Sequence, residues 1–355
     1  MTESSRRVGI LGSGFMGRTW AEVTARHLPG GRLVAVAGGR RAPQLAKDYE
    51  CALEAGLEEL LSRPDIEVVI LTTPPAGHAD QALAAAAAGK HVLIEKPMAQ
   101  NVAECRKMIA AFAAAGTKLA IVSQHRFRAA PLAARKVIDE GTIGDLSMMR
   151  VMGPDTGWWD VTKTQDEWKL DPAQQTAFAS WGAHACDLMR WFAGSDATLA
   201  FAQFAHYSAE PPPGRSAMVT YRFGSGVMSQ AWMSYDIPQP GLGSALQLLL
   251  TGTRGMIDLD AYGRVRVGSG EGWEVVYEQP DFDPLDPVSV GRLAAYVGEL
   301  TDLMDAIERG GEPQVNGREG LLTTAMLEAA ELSASVDQAV RIDSEGALIL
   351  AGQTS

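Results

Sequence analysis

Short, continuous apolar runs alternate with segments of helical periodicity through the first third of the chain. The runs predict strands at 8–11, 33–37, 68–71, 92–94 and 119–122, and the intervening segments predict helices at 15–27, 43–49, 57–61, 77–88 and 102–115. Apolar runs without polar alternation are typical of strands buried on both faces. This regular alternation of strand and helix predicts a parallel sheet with right-handed crossovers.

The pattern changes after about residue 124. It predicts a helix at 131–139, a strand near 146–152, a long turn-rich loop at 153–175 and a helix at about 178–192. Short strands separated by Gly and Pro turns over 197–278 predict one antiparallel sheet, and helices are predicted at 288–307 and 317–336. We therefore predict an α/β protein with two domains, 1–124 and 125–355, the last helices being free to pack back on the first.

Composition limits the classes of function. The 355 residues suit two domains, and 46% hydrophobic with 21% charged residues is typical of a soluble globular protein. A net charge of -12 argues against nucleic acid or an anionic membrane as a partner. The three cysteines lack metal-site or disulfide-framework spacing, so we expect no metal. Without a secretory signal or an apolar run of membrane-spanning length, we expect a cytoplasmic protein.

Three glycines follow the first predicted strand and precede the first predicted helix. In this position Gly12 permits a tight turn, Gly14 lets a pyrophosphate approach the backbone, and Gly17 lets the helix pack close to the sheet. The helix N-terminus offers N–H groups to the phosphates. We therefore predict a dinucleotide site rather than an ordinary strand-to-helix turn. Its residues in this turn are Gly12, Ser13, Gly14, Phe15 and Met16.

The segment after the second predicted strand bears on the choice of cofactor. An acidic residue there would bind the ribose 2′-hydroxyl of NAD and repel a 2′-phosphate. The chain instead has Gly38 and Gly39 followed by Arg40 and Arg41. Because guanidinium groups bind phosphate well, we predict NADP as the preferred cofactor, with NAD as the alternative. The competing interpretation is that both arginines are solvated residues at a helix start.

Lys96 follows the strand predicted at 92–94, and so lies at the carboxyl edge of the parallel sheet, where ligands bind. A lysine there can hydrogen-bond a reacting oxygen and stabilise developing negative charge. The alternative is a surface lysine before a loop proline.

His184 is the second catalytic candidate. In the helix predicted at 178–192 it shares a stripe with Ser180 and Asp187, at spacings of four and three residues. Histidine titrates near neutral pH and can accept a hydroxyl proton. The alternative is a hydrogen-bonded histidine inside a packing face, and Asp187 could equally be structural.

Three longer stretches, 70–99, 168–192 and 299–341, together with the glycine turn, resemble the glucose–fructose oxidoreductase / inositol dehydrogenase / MocA (Gfo/Idh/MocA) family. The tripeptide Glu95-Lys96-Pro97 is the most specific element of the resemblance. The resemblance implies an N-terminal Rossmann domain and a C-terminal α/β domain with an open, mainly antiparallel sheet. It also implies nicotinamide-dependent chemistry on sugar or cyclitol hydroxyls, in homodimers or homotetramers that associate through that sheet.

The resemblance extends the site to further residues. It implies a cis Lys96–Pro97 bond, and places Arg126 near the nicotinamide and substrate, although a solvated basic run would explain that arginine equally. The family pattern Asp-x-x-x-His-x-x-Asp has Ser180 here in place of its first aspartate, so the proton relay is altered or uses another carboxylate. The other residues that it places at the cofactor are Thr72, Thr73, Pro74, His78 and Glu95, with capping or packing as the alternative for Thr73 and His78.

These features together predict an oxidoreductase that moves a hydride between NADP(H) or NAD(H) and a hydroxyl or carbonyl carbon of a sugar, cyclitol or glycoside. Lys96 would polarise the reacting oxygen, His184 would exchange its proton, and Arg126 and Ser180 would also contact the substrate. The tryptophans of the long loop, Trp158 and Trp159, would line a sugar pocket, with core packing as the alternative. Two other hypotheses stay open. One is an NAD-dependent glycosidase that uses transient oxidation, and the other is a dinucleotide-sensing regulator without enzymatic activity.

Overall fold

The chain folds into two compact units. The computed structural model describes residues 6–154, 167–171, 173–174, 176–207, 214–238, 241–270, 272–280 and 282–350. One unit comprises the described residues of Met1–Phe127 and Asp281–Leu321, and the other those of Arg128–Pro280 and Leu322–Ser355.

The first unit contains a parallel sheet. Its described strands are β1 (Arg6–Leu11), β2 (Gly31–Ala37), β3 (Ala52–Glu54), β4 (Val68–Leu71), β5 (His91–Ile94) and β6 (Leu119–Ile121). They are hydrogen-bonded in the order β3-β2-β1-β4-β5-β6, and every pair is parallel. The predicted alternation of strand and helix is thus confirmed, although β3 was not predicted. The chain order reverses between β1 and β4, and ligands bind beside such a reversal at the carboxyl ends of the strands.

Helices flank this sheet and complete its core. They are α1 (Phe15–Glu22, continued by a π-helical turn, Val23–His27), α2 (Ala42–Asp48), α3 (Leu57–Ser62), α4 (His78–Ala87), α5 (Val102–Ala115) and, from late in the chain, α8 (Val290–Arg309). Ile10 and Ile70 are fully buried, as expected for strands covered on both faces. Leu293, Leu300 and Leu303 of α8 belong to the same apolar cluster. A helix distant in sequence therefore closes the core of the dinucleotide-binding fold.

The second unit contains a mixed sheet. Its strands are β7 (Leu146–Pro154), β8 (Ala197–Ala205), β9 (Ser216–Phe223), β10 (Met228–Ser234), β11 (Gln247–Gly252), β12 (Gly255–Asp260), β13 (Arg264–Ser269), β14 (Gly272–Glu278), β15 (Val340–Ile342) and β16 (Leu348–Leu350). Among the described residues the order is β14-β13-β12-β11-β7-β10-β9-β8-β15-β16, with one parallel pair, β7 and β10. The predicted α/β class with a mainly antiparallel second sheet is confirmed. The parallel pair joins β10 to a strand that precedes the segment predicted to be antiparallel, and β15 and β16 were not predicted.

Helix α7 (Ala177–Ala193) covers one face of the mixed sheet, packing on β7, β9 and β10. The described residues also form helices α6 (Ala129–Asp139) and α9 (Gly317–Val336). Strands β9 and β10 alternate buried and more exposed residues, as expected when one face is covered. Met148, Met218 and Met228 lie on the other face and are 48%, 52% and 50% exposed. In the described part of the chain, no helix is both long enough and apolar enough to span a bilayer.

Candidate active site

The glycine turn lies between β1 and α1. Gly12 has a φ of 107°, which favours glycine. A Cβ on Gly17 would collide with the carbonyl oxygen of Gly12, so only glycine lets α1 pack this close. A Cβ on Gly14 would meet nothing within 4 Å, which leaves open space over the backbone at this point. The turn thus has the shape that a pyrophosphate needs.

The start of α1 suits an anion. Gly14 is the N-cap residue and supplies no side-chain cap, and the first turn carries no acidic residue. The first backbone N–H groups of a helix lack partners within the helix and carry partial positive charge. Because a dinucleotide presents two phosphates, the open space and the N–H groups together fit this class of cofactor.

The loop after β2 is tied to the glycine turn. Gly38 and Gly39 have φ angles of 75° and 80°. The backbone N–H of Arg41 donates to Ser13 Oγ over 3.2 Å. Arg40 and Arg41 are both exposed at this edge of the sheet, and Gly38 through Arg41 contain no carboxylate.

The turn after β4 supports the glycine turn from the other side. Thr72 donates from its backbone N–H and from Oγ1 to the carbonyl oxygen of Leu11, over 2.8 Å and 3.0 Å. The Thr73 side chain bonds that of Gln81, one turn into α4. Both threonine side chains therefore stabilise the turns themselves, and their contact with a cofactor stays a prediction.

Glu95, Lys96 and Pro97 follow β5. The Lys96–Pro97 bond is cis, as the resemblance implies, and Lys96 is half-buried. Glu95 is buried, and its Oε1 accepts the indole N–H of Trp20 over 3.0 Å. Burial raises the pKa of the Glu95 carboxyl, although the Trp20 bond and the positive charge of Lys96 act in the opposite direction. A lysine and a buried carboxyl are thus adjacent at the carboxyl edge of the sheet.

His78 also lies at the carboxyl edge of the parallel sheet, between the turns that follow β4 and β5. It begins α4 and is fully buried. Its Nδ1 lies 2.9 Å from the carbonyl oxygen of Pro97, and its Nε2 lies 2.9 Å from that of Thr73. Both ring nitrogens therefore face protein backbone, and a direct contact between this ring and a cofactor stays a prediction.

Arg126 lies in a short 3₁₀ segment, Gln124–Phe127, after β6. It is only 5% exposed, and its Nη2 donates to Glu319 Oε2 over 2.7 Å. Gln124 and His125 are also buried. The interpretation of this stretch as a solvated basic run was therefore wrong, while the role of Arg126 at the substrate stays a prediction.

In the second unit, the predicted stripe lies on α7. Thr176 caps this helix by accepting the backbone N–H of Ala179 over 3.0 Å. Ser180, His184 and Asp187 are all buried, at 2%, 7% and 5% exposure. The His184 ring packs edge-on against Trp181, with ring centroids 5.5 Å apart. The helix therefore holds an imidazole, a hydroxyl and a carboxyl along one buried stripe.

The long loop is described only in part. Trp158 and Trp159, with the neighbouring Asp160, lie outside the described residues. Later in the same loop, Trp168 is half-buried and Lys169 is 1% exposed.

Two charged residues of α8 were not predicted for the site. The Arg292 guanidinium donates to Thr19 Oγ1 over 2.8 Å and lies 4.7 Å from the centre of the Phe15 ring. Glu299 accepts the backbone N–H of Ser123, two residues after the end of β6. Both are buried, and they are seven residues apart, on the apolar stripe of the helix. Charged residues on an otherwise apolar stripe were the signal in the sequence that could have revealed them.

The parallel sheet, its glycine turn and the lysine at its edge define the class of nicotinamide-dependent oxidoreductases. Two family models match, described as "Oxidoreductase family, NAD-binding Rossmann fold" over residues 6–123 and "GFO/IDH/MocA C-terminal domain" over residues 132–258. The chain belongs to the GFO/IDH/MocA family of oxidoreductases, which confirms the resemblance.

Individual relatives differ in how much of the chain they match. An inositol 2-dehydrogenase of Gluconacetobacter diazotrophicus is 36% identical over 155 residues, which are 41% of this chain and 44% of the relative. A 1,5-anhydro-D-fructose reductase of Ensifer adhaerens is 27% identical over 353 residues, 95% of this chain and 98% of the relative. A crystal structure of an oxidoreductase from Agrobacterium radiobacter in complex with NAD+, L-tartaric acid and magnesium has a TM-score of 0.84 at 20% identity, covering 95% and 98% of the two chains. At that identity it shows the fold alone.

Proposed function

We propose that this protein is an NADP(H)-preferring oxidoreductase that interconverts a hydroxyl and a carbonyl group on a sugar, cyclitol or glycoside. The observation that carries the proposal is the placement of Lys96 at the carboxyl edge of a sheet whose glycine turn fits a dinucleotide. The substrate class rests on the names of the relatives, an inositol dehydrogenase and an anhydrofructose reductase.

The glycine turn would hold the cofactor. Gly12, Ser13 and Gly14 would contact the pyrophosphate, and Phe15 and Met16 begin the helix whose N–H groups face it. The turns at Thr72–Pro74 and Glu95–Pro97 follow β4 and β5 and would flank the nicotinamide half. The cofactor, once bound, supplies the hydride chemistry, and the protein supplies position and charge.

The preference for NADP rests on the loop after β2. Its glycines leave room beside the ribose, and Arg40 and Arg41 are exposed there with no carboxylate between Gly38 and Arg41. A 2′-phosphate would gain charge-assisted hydrogen bonds from these guanidinium groups. NAD lacks the phosphate and would gain nothing from them.

Lys96 would donate a hydrogen bond to the reacting oxygen. Its positive charge favours the oxygen when negative charge develops on it during hydride loss. Because Lys96 is half-buried, water screens that charge less than it would at an open surface.

His184 would take the hydroxyl proton in oxidation and return it in reduction. Ser180 occupies the position at which the family pattern has an aspartate, four residues before the histidine. A hydroxyl can hold the imidazole by a hydrogen bond, but it cannot raise the histidine pKa as a carboxylate would. Arg126 and Ser180 would contact the substrate.

We infer that the protein forms homodimers or homotetramers through the uncovered face of the mixed sheet. Met148 and Met228 lie opposite each other on neighbouring strands, and Trp232 lies opposite Met218. These methionines are about half exposed. Exposed apolar side chains of this kind, here on either side of a hydrogen bond from Arg150 to Gln230, are typical of an interface between protein chains.

The test is a panel of cyclitols, sugars and glycosides, followed by nicotinamide absorbance with each cofactor. Net reduction of NADP with at least one polyol is the expected result. Cofactor that stays bound through gel filtration, with turnover but no net absorbance change, would favour the glycosidase that uses transient oxidation. Binding of NADP without turnover of any substrate would favour a regulator.

A further inference from the structure

One side chain connects the two turns that follow β4 and β5. His78 begins α4, and its ring reaches the carbonyl oxygens of Thr73 and Pro97, each over 2.9 Å. The strands that end in these turns are neighbours in the parallel sheet. Pro97 comes directly after Lys96, so the ring is joined to the backbone that carries the lysine.

Both partners of the ring are hydrogen-bond acceptors, so each ring nitrogen must donate to make its bond. Burial lowers the pKa of His78, while the bonds to Thr73 and Pro97 raise it and the charge of Lys96 lowers it again. The net shift of the pKa is downward, which favours the neutral form of the ring. A neutral imidazole carries one N–H, so the ring donates to one of the two carbonyl oxygens at a time.

The two turns differ in the other hydrogen bonds that stabilise them. The Thr73 side chain is bonded to Gln81, and the backbone of Thr72 is bonded to β1. The backbone N–H of Glu95 donates to the carbonyl oxygen of Leu71 over 3.0 Å, but this bond lies before Lys96. The His78 bond to Pro97 holds the chain directly after the lysine.

We propose that His78 is a positioning residue, whose hydrogen bond to the Pro97 carbonyl oxygen fixes the backbone that carries Lys96. The inference rests on the proposed function, because it assigns His78 a role through the lysine. It differs from a cofactor contact, since both ring nitrogens face backbone. It also differs from a packing role, in which an aromatic ring of similar size would serve equally.

Three substitutions separate the two bonds. His78→Phe keeps a buried ring and removes both ring nitrogens. His78→Asn places an amide nitrogen near the position of Nδ1, and so keeps a donor for Pro97. His78→Gln places its amide nitrogen near the position of Nε2, and so keeps a donor for Thr73. Because the three variants lose different bonds, their kinetic parameters show which bond matters.

We expect His78→Phe to lower kcat by about 10²-fold at saturating cofactor, since a displacement near 1 Å of a catalytic group has that cost. His78→Asn should restore kcat to within about tenfold of the wild type, whereas His78→Gln should stay close to the Phe variant. The dissociation constant of NADP should change by no more than about threefold in His78→Gln, because the Thr72–Pro74 turn stays anchored. Thermal unfolding of each variant checks that the protein is folded.

His91 provides a matched control. It begins β5 at the opposite end of the strand, and its Nδ1 accepts the backbone N–H of Lys118 over 2.9 Å. His91→Phe also removes one bond between imidazole and backbone, but at the edge remote from Lys96. We expect this variant to lower the melting temperature and to leave kcat within about twofold of the wild type, as for other changes away from the reacting groups.

The outcomes distinguish this inference from the proposed function. A wild-type protein that binds neither NADP nor NAD refutes both. If the wild type is active, the positioning role alone is refuted when His78→Phe keeps its kcat. It is also refuted when the Asn and Gln variants both lose as much kcat as the Phe variant. The Asn and Gln pair decides the matter even if His78→Phe does not fold.

Discussion

Removal of both guanidinium groups after β2 should abolish the preference for NADP. In Arg40→Ala/Arg41→Ala the loop loses two positive charges, while Gly38, Gly39 and the bond from the backbone N–H of residue 41 to Ser13 Oγ stay in place. A hydrogen bond from a guanidinium to a phosphate is worth about 1.5–3 kcal/mol when water is excluded. Both arginines are exposed, so solvent screening reduces this to about 1 kcal/mol for each.

Together the two substitutions should cost about 2 kcal/mol of NADP binding, which corresponds to about a 30-fold rise in its dissociation constant. The dissociation constant of NAD should stay within about twofold, because NAD has no phosphate at this position. Isothermal titration with each cofactor measures both values. The wild-type preference should also shrink as salt is added, since salt screens exposed charges.

Arg32→Ala is the matched control. Arg32 is an exposed arginine near the start of β2, at the end of the strand opposite Arg40 and Arg41. It changes the net charge in the same direction without touching the loop, so NADP binding should be unchanged. An equal loss of affinity for NADP and NAD in the double variant, or an unchanged NADP affinity, would show that the two arginines do not bind the 2′-phosphate.

Three further predictions concern other parts of the molecule. Lys96→Ala should lower kcat by about 10²–10⁴-fold with little effect on cofactor affinity; an unchanged kcat in steady-state assays would exclude the lysine from the chemistry. Glu95 has a raised pKa when folded, so its contribution to stability is present at low pH and is lost as pH rises through that pKa. Glu95→Gln should therefore gain melting temperature relative to the wild type between pH 4.5 and pH 7, and parallel curves would contradict this. Met228→Lys should shift the assembly towards monomers in sedimentation, with Arg222→Lys, which keeps the charge on the neighbouring strand, as the control.

Local signals in the sequence predicted the first sheet and much of the candidate site. The glycine turn depends on residues within one loop, and the Glu95-Lys96-Pro97 turn follows directly from a buried strand. Segment periodicity placed β4, α5 and α9 at the same residues as the structure. These features are recognisable because their physical cause lies within about fifteen neighbouring residues.

Features that depend on distant residues were not predictable in the same way. The parallel pairing of β7 with β10 joins strands separated by α7 and two other strands, and no local pattern specifies the choice of partner. Strands β15 and β16 have three residues each, too short for a periodic signal. The contact of Arg292 with Phe15 joins residues 277 positions apart by their numbering, and only the unusual charge on an apolar stripe hinted at it.

The position of α8 has a consequence for how the protein is made. Leu293, Leu300 and Leu303 close the core around Ile10 and Ile70, and they leave the ribosome long after the strands they cover. A nascent chain that ends at Phe127 would expose that apolar side of its sheet to water and to other chains. We therefore expect the amino-terminal third to need chaperone protection until most of the polypeptide has been synthesised, and a fragment limited to it to aggregate when expressed alone.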